Sequence, residues 1–441
     1  MRPITLVSMT SNQTLTHRYI WQLAWPMILA NISTPLLGMV DTAVVGHLDS
    51  PSFLGAVALG SIIFSFLFWG FGFLRMATTG LTAQAQPDQD TVILRQALVL
   101  ALLISSVLLL FQIPLSNLAF YILDSNPDVI SHAKTYFDIR IWSAPAILMN
   151  YVMLGWLIGK GKTKAALILV LIVNITNIVL DLIFVNLLGM TVDGVALASV
   201  IAEYTGLATA FIILNYRGHS ISLIVKPREY TPLFSSRWLT LNLNIFIRTL
   251  CLIFSFAFFT YQGAKQGEII LAANAVLLQF IAFVAFVLDG FANATEVISG
   301  KAIANKNAAL LKKGLYLTGF WSLVVAFFFS ASYFLFGANI INLLTDINDV
   351  ANTAEQYLIW QIILPVISVW SYLFDGLYIG ATRSREMRNT MLIATLCCYF
   401  PAWYLLQPLG NNGLWLALTL FLAARGIAQL FYIPKILRME S

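Results

Sequence analysis

The residues of this chain best able to do chemistry are a few aspartates isolated in apolar sequence, because a carboxylate at membrane depth is costly and marks function by default. Asp41 stands in STPLLGMVDTAVVGHLD and Asp181 in NITNIVLDLIF. Asn174, Asn177 and Asp181 recur at i, i+3 and i+7, which puts all three on one helical face. Ser199, in the next apolar segment, is placed to join them from a neighbouring helix. Two carboxylates, a carboxamide and a hydroxyl form a hard-oxygen set suited to a small cation such as Na+ at Asp41, Asn177 and Asp181. The same set suits a proton, since paired carboxylates out of water share one. The structural alternative has the aspartates reaching the headgroup region or pairing with Arg140.

Asp289 and Asp375 are the other two isolated carboxylates. With Asn174 they are expected to line a central cavity, the two carboxylates attracting cationic substrate; the alternative for the aspartates is pairing with Arg248 or Arg425. Glu203 and Glu296 rank below them. Pro26 lies in the same segment as Asp41, fifteen residues before it, with Pro35 between. Proline removes a backbone hydrogen bond and permits a bend, so a titratable group at the end of this segment can couple protonation to shape, or the kink is fixed for packing. Cys251, Cys397 and Cys398 sit in apolar runs as small buried hydrophobes. His17, His47, His132 and His219 have no metal-ligand spacing. No Walker-type phosphate loop appears, which excludes ATP-driven pumping within this chain. No cofactor other than the coupling ion, H+ or Na+, is expected, and no Ser-His-Asp, paired-His or metal-ligand cluster supports an enzyme.

The elements that must position these residues follow from composition. Of 441 residues, 10% are charged and 59% hydrophobic, against about 25% charged in a soluble domain. A soluble protein of this size cannot cover its surface with so few polar groups, and intrinsic disorder is excluded for the same reason. The basic residues form no aromatic-interleaved patch, which argues against nucleic acid. Twelve apolar segments are long enough to span a bilayer, at about 19–45, 54–80, 92–120, 130–158, 164–188, 194–215, 238–262, 268–297, 311–337, 353–381, 389–408 and 413–437. The run before Tyr19 has no signal-peptide core, so the first segment is expected to serve as the anchor. With the N-terminus in the cytoplasm, nineteen of the 25 Lys and Arg fall on the cytoplasmic side. Lys134 and Lys265 fall outside, and Arg75, Arg140, Arg248 and Arg425 lie within segments. That bias predicts cytoplasmic termini. Outer-loop acids such as Asp49, Asp124, Asp128, Asp346 and Asp349 read as solvated caps.

A long polar connection divides the chain into residues 1–215, a linker at 216–237, and residues 238–441, each half with six segments. The halves repeat. At a shift of 217, Leu54, Ala56, Ala58, Phe66, Ala77, Thr78 and Ala85 meet identical residues. At a shift of 221, Tyr136, Gly155, Ile158 and Gly159 match Tyr357, Gly376, Ile379 and Gly380. A six-helix shift preserves direction across the membrane, so the repeat is parallel, with its axis along the membrane normal, as in transporters that rock one half against the other. The four isolated aspartates are not repeated; the scaffold is symmetric and its charge is not.

The run WPMILANISTPLLGMVDTAVVGHLDSPSFLGAVALG resembles the first helix and outer loop of MATE multidrug and toxin extrusion transporters, with most likeness to the DinF-like branch. LRMATTGLTAQA, LDGFANATEVISGKA, RIWSAPAILMNYVMLGWLIGKGKTK and NITNIVLDLIF with GVALASVIAEY resemble helices two, eight, four, five and six of that family. The resemblance spans essentially the whole chain. It implies an all-α membrane fold of two six-helix bundles in a V around a central cleft, and efflux of amphipathic or cationic drug-like compounds by cation antiport. It implies a cation-coupling site at Asp41, Asn177 and Asp181, with Tyr136 and Ser199 nearby, and a hinge at Pro26. The family often has Thr where Ser199 stands, which retains the hydroxyl. The loop after helix two reads AQAQPDQD instead of the usual Gly-Ala element, which leaves any gate role for it in doubt. A monomer in the plasma (inner) membrane suffices, with membrane lipid as its other partner. The alternative cargo is a lipid or lipid-linked saccharide, which a strongly basic cavity would favour. A major-facilitator sugar transporter would show a Gly-Asp-Arg motif after helix two, which is lacking.

Overall fold

Lipid offers no hydrogen bonds to a backbone, so an apolar chain in it must satisfy its peptide groups within helices. The computed structural model describes residues 15–46, 51–86, 89–123, 126–216 and 236–438. Residues before Leu15, His47, Asp49, Pro87, Asp88, Asp124, and the linker residues 217–235 with His219 lie outside the described residues. Among the described residues no strand occurs, and twelve helices are long and apolar enough to cross a membrane. They are α1 His17–Val45, α2 Ser52–Gln84, α3 Gln89–Leu110, α4 Pro127–Gly159, α5 Thr163–Leu187, α6 Val192–Asn215, α7 Trp238–Ala264, α8 Glu268–Ala304, α9 Ala308–Leu344, α10 Asn348–Gly380, α11 Ser384–Leu409 and α12 Asn411–Leu437. An even number of crossings puts both ends of the bundle on one side, here called the terminal face.

Two features were not legible as simple spans. The third segment does not continue to residue 120; it breaks at Phe111, and Gln112–Ile122 forms a separate helix. Pro114 explains the break, because its ring clashes with the carbonyl of Leu110 one turn earlier. α5 loosens directly after Asp181, where Leu188 N–H bonds the Ile183 carbonyl at 3.0 Å in a π-type turn. α11, the repeat counterpart of α5, also has a π-type stretch, earlier in its helix at Ile393–Tyr399. Such bulges recur beside functional residues. α4 is started by Asn126, whose side chain accepts from Asp128 N–H at 3.1 Å, with Pro127 in the first turn.

The sequence repeat appears in the packing. A Cβ on Gly155 would stand 2.4 Å from the Arg75 carbonyl oxygen, and one on Gly159 2.7 Å from that of Thr79. In the other set, a Cβ on Gly376 would stand 2.4 Å from the Ala292 carbonyl oxygen, and one on Gly380 2.3 Å from that of Glu296. Glycines thus let α4 lie directly on α2, and α10 on α8, as small residues do between helices in membranes. α1 bridges the sets: besides packing on α5 of its own set, it rests on α8. Asn31 Nδ2 donates to the Phe286 carbonyl at 3.0 Å, Gly290 makes room for Ile28, and Trp21 meets Phe291 edge-on at 5.3 Å. Leu110, Tyr121, Phe328, Leu343 and Phe431 are exposed on the bundle, as suits a surface solvated by lipid. Cys397 is exposed rather than buried, and Cys251 and Cys398 are half-buried; much of α11 faces away from the core, so its thiol meets the apolar surroundings from outside.

Candidate functional site

Four helices of the first set converge far from the terminal face. α1 carries Asp41 near its end, and α5 carries Asn177 and Asp181 one turn apart, just before its π-type stretch. α6 contributes Ser199 and α4 contributes Tyr136 and Arg140, again one turn apart. The carboxyls of Asp41 and Asp181 are within hydrogen-bonding reach of each other. Asn177 Nδ2 donates to Asp181 Oδ2 at 2.9 Å, and Ser199 Oγ donates to Asn177 Oδ1 over a long 3.5 Å. Asp181 is fully buried and Asp41 half-buried. Arg140 lies near enough to act on both carboxyls, yet among the described residues it makes no ion pair with either, and its Nε and Nη1 have no partner. Asp41 Oδ1 and Asp181 Oδ1 are likewise buried without a partner. Buried acceptors are normally paired, so this constellation is poised to hold something small and positive.

Tyr136 is packed behind the pair, within reach of Ser61 on α2. Gly60 makes its place: a Cβ there would stand 2.4 Å from the tyrosine ring. We expect Gly60→Ala to push Tyr136 from the site. It should cost about 1–3 kcal/mol, the usual effect of overpacking, read as a lower unfolding midpoint of the purified protein.

Asn174, one turn before Asn177, serves α1 instead. Its Nδ2 donates to Ser33 Oγ at 2.8 Å, and Ser33 Oγ donates to the Ala30 carbonyl at 2.7 Å. α1 remains helical through both Pro26 and Pro35. Pro26 frees the Gln22 carbonyl, which accepts from Thr163 Oγ1 at 3.3 Å. The proline defect is therefore held from α5, the helix that carries Asp181.

The second set separates its two aspartates. Asp289 is exposed on α8. Asp375 is buried and is the shared counter-ion of Arg248 from α7 and Arg425 from α12. Gln429 Nε2 adds a hydrogen bond to its Oδ1 at 2.7 Å. Asp375 takes the alternative weighed for it in the sequence, and with both arginines at once, because helix rotation turns all three side chains inward. Glu203 is bonded by Asn150 at 2.8 Å. Glu296 is buried with Oε2 unpartnered, near Arg75, whose Nη1 crosses between sets to Asn293 Oδ1 at 2.9 Å. Sequence reasoning missed Ser61 altogether. It named Arg140 only as a rival partner, although the i, i+4 spacing of Tyr136 and Arg140 was available as a signal.

The MatE family model matches residues 26–183 and 245–408. The DNA damage-inducible protein F of Escherichia coli K12 is 45% identical over 428 residues, covering 94% of this chain and 91% of that protein. The multidrug resistance protein NorM of Vibrio vulnificus CMCP6 is 24% identical over 440 residues, covering 92% and 94% of the two chains. Among solved structures, one described as the outward-facing conformation of a multidrug resistance MATE family transporter aligns over 96% of each chain with a TM-score of 0.83 at 19% identity. Twelve apolar helices, a paired-carboxylate site within them and these matches together lead to one conclusion: the chain belongs to the MatE family and is a multi-pass membrane transporter, not an enzyme.

Proposed function

We propose that this transporter exports amphipathic, often cationic, drug-like compounds in exchange for protons taken up at the Asp41–Asp181 pair. The observation that carries the reading is that pair itself: two carboxyls in mutual reach, each with a buried oxygen lacking a partner, beside an arginine bonded to neither. A proton is favoured over Na+ because two carboxyls in mutual reach can share one proton between them with no further donors. In the substrate-loaded state Asp41 is ionised. A proton entering from the far side neutralises Asp41, α1 bends at Pro26, the cavity of the first set shrinks, and substrate leaves. Thr163 and Asn174 are placed to hold α1 on either side of the bend through Gln22 and Ser33. The name of the NorM relative, a multidrug resistance protein, supports the cargo class. The bias of nineteen basic residues against two supports a cytoplasmic terminal face in the inner membrane, and the two sets of six helices are the parts that rock.

Proteoliposomes with separately imposed gradients test this. A pH gradient without sodium is expected to drive transport of a fluorescent organic cation, and a sodium gradient at equal pH to drive none. Transport that follows sodium and ignores pH refutes the proton assignment. Transport of a lipid-linked saccharide in place of the cation refutes the cargo.

A further inference from the structure

The two sets of helices meet near the terminal face, and the residues at that seam are related by the repeat. Ala83 on α2 and Gly300 on α8 are equivalents at the shift of 217. They also touch, for a Cβ on Gly300 would stand 2.4 Å from Ala83 Cβ. Equivalent residues in contact place the pseudo-twofold axis between them.

The next residue on each helix crosses to the other set. Gln84 Nε2 donates to the Gly380 carbonyl at 2.6 Å and to Thr382 Oγ1 at 3.3 Å. Its equivalent, Lys301, crosses the opposite way: Nζ lies 3.4 Å from where a Cβ on Gly161 would stand. Gly161 and Thr382 are themselves equivalents at the shift of 221. Both end a helix in a left-handed turn, with φ of +73° and +55°. Lys162 N–H to Leu157 O at 2.8 Å closes one turn, and Arg383 N–H to Tyr378 O at 2.9 Å closes the other. Glycine takes that conformation freely, whereas a β-branched residue there is a genuine outlier. The turn itself does not require threonine, because glycine makes it in the first set. What Thr382 adds is the hydroxyl that receives Gln84. Strain kept where a contact is gained points to function.

We propose that Gln84 and Lys301 are the two pseudo-symmetric arms of a gate at the terminal face, of which Gln84 clasps the sets together and must release for substrate to enter from that side. The proposal rests on the exporter reading and adds its inner gate, using Gln84 at the end of α2. The arms differ in strength. Gln84 makes two hydrogen bonds across the seam, one of them to an end-of-helix carbonyl that otherwise lacks a donor. Lys301 lies over a bare glycine and is repelled by Lys160 nearby, itself paired with Asp90. The Gln84–Thr382 clasp is therefore the latch, and the Lys301 arm is the side that yields first.

The test starts from full-length protein with Cys251, Cys397 and Cys398 replaced by Ser, carrying Gln84→Cys and Thr382→Cys. A short bis-methanethiosulfonate is expected to join the two cysteines, lower export more than tenfold, and release it on reduction. Undiminished export after cross-linking, or failure of the two positions to cross-link, overturns the gate. A second readout needs no export. Ser299→Cys, buried behind the seam, is labelled with an impermeant thiol reagent applied at the terminal face. Gln84→Ala with Lys301→Ala is expected to raise the labelling rate several-fold, and Thr382→Gly to raise it less. An unchanged rate overturns the proposal. Export by the protein before cross-linking tests the exporter reading separately, so the two failures are distinguishable.

Discussion

Asp41→Asn is expected to abolish efflux while the protein still reaches the membrane at its normal level. Asparagine has nearly the shape of the protonated acid and still hydrogen-bonds Asp181. It cannot give up a proton, so the cycle stalls in its protonated-like state. Cells expressing the variant should accumulate a fluorescent organic cation as cells without the transporter do, and a fluorescent fusion should show undiminished protein. Normal efflux by this variant sinks the assignment of Asp41 as the coupling residue. The effect is expected to be total because no second carboxylate can substitute. Asp181 is fully buried and already tied to Asn177, and Asp375 is neutralised by two arginines in the other set.

Asp375→Ala carries the largest expected effect on stability. Arg248 and Arg425 are 5% and 2% exposed, and both point at this carboxylate. Its removal leaves two like charges buried side by side, and breaking one partner from a buried pair costs roughly 3–5 kcal/mol. The purified variant is expected to unfold at a markedly lower temperature and to accumulate poorly. Replacing all three residues with apolar ones of similar volume, Asp375→Leu with Arg248→Met and Arg425→Leu, is expected to recover most of the loss, because no charge is then stranded. Should Asp375→Ala instead leave stability intact and weaken only drug transport, the residue is a cavity carboxylate after all.

These two aspartates show what local sequence can and cannot carry. Hydropathy is a property of consecutive residues, so twelve spans and the rarity of intramembrane charge were readable directly. The spacing of Asn177 and Asp181 is likewise local, one turn of α5, and the structure keeps them bonded. The repeat was readable because Gly155 and Gly159 recur as Gly376 and Gly380, and the close helix contacts they permit proved equivalent in the two sets. Asn174 shows the limit within a single helix. It shares the face of Asn177, yet that face meets two different parts of α1, and the residue holds Ser33 rather than the carboxyl pair.

What the sequence by itself determined, then, is the all-helical membrane fold, its twofold plan and the few charges worth testing, because apolar periodicity and the cost of a charge in lipid act residue by residue. Only the tertiary structure decided which charges meet. Asp41 reaches Asp181 from a helix four spans earlier, Asp375 is claimed by arginines from α7 and α12, and Gln84 finds Thr382 nearly three hundred residues away. Those pairings depend on how each helix is rotated and where glycines let two backbones approach, and packing sets both only when all twelve helices are in place.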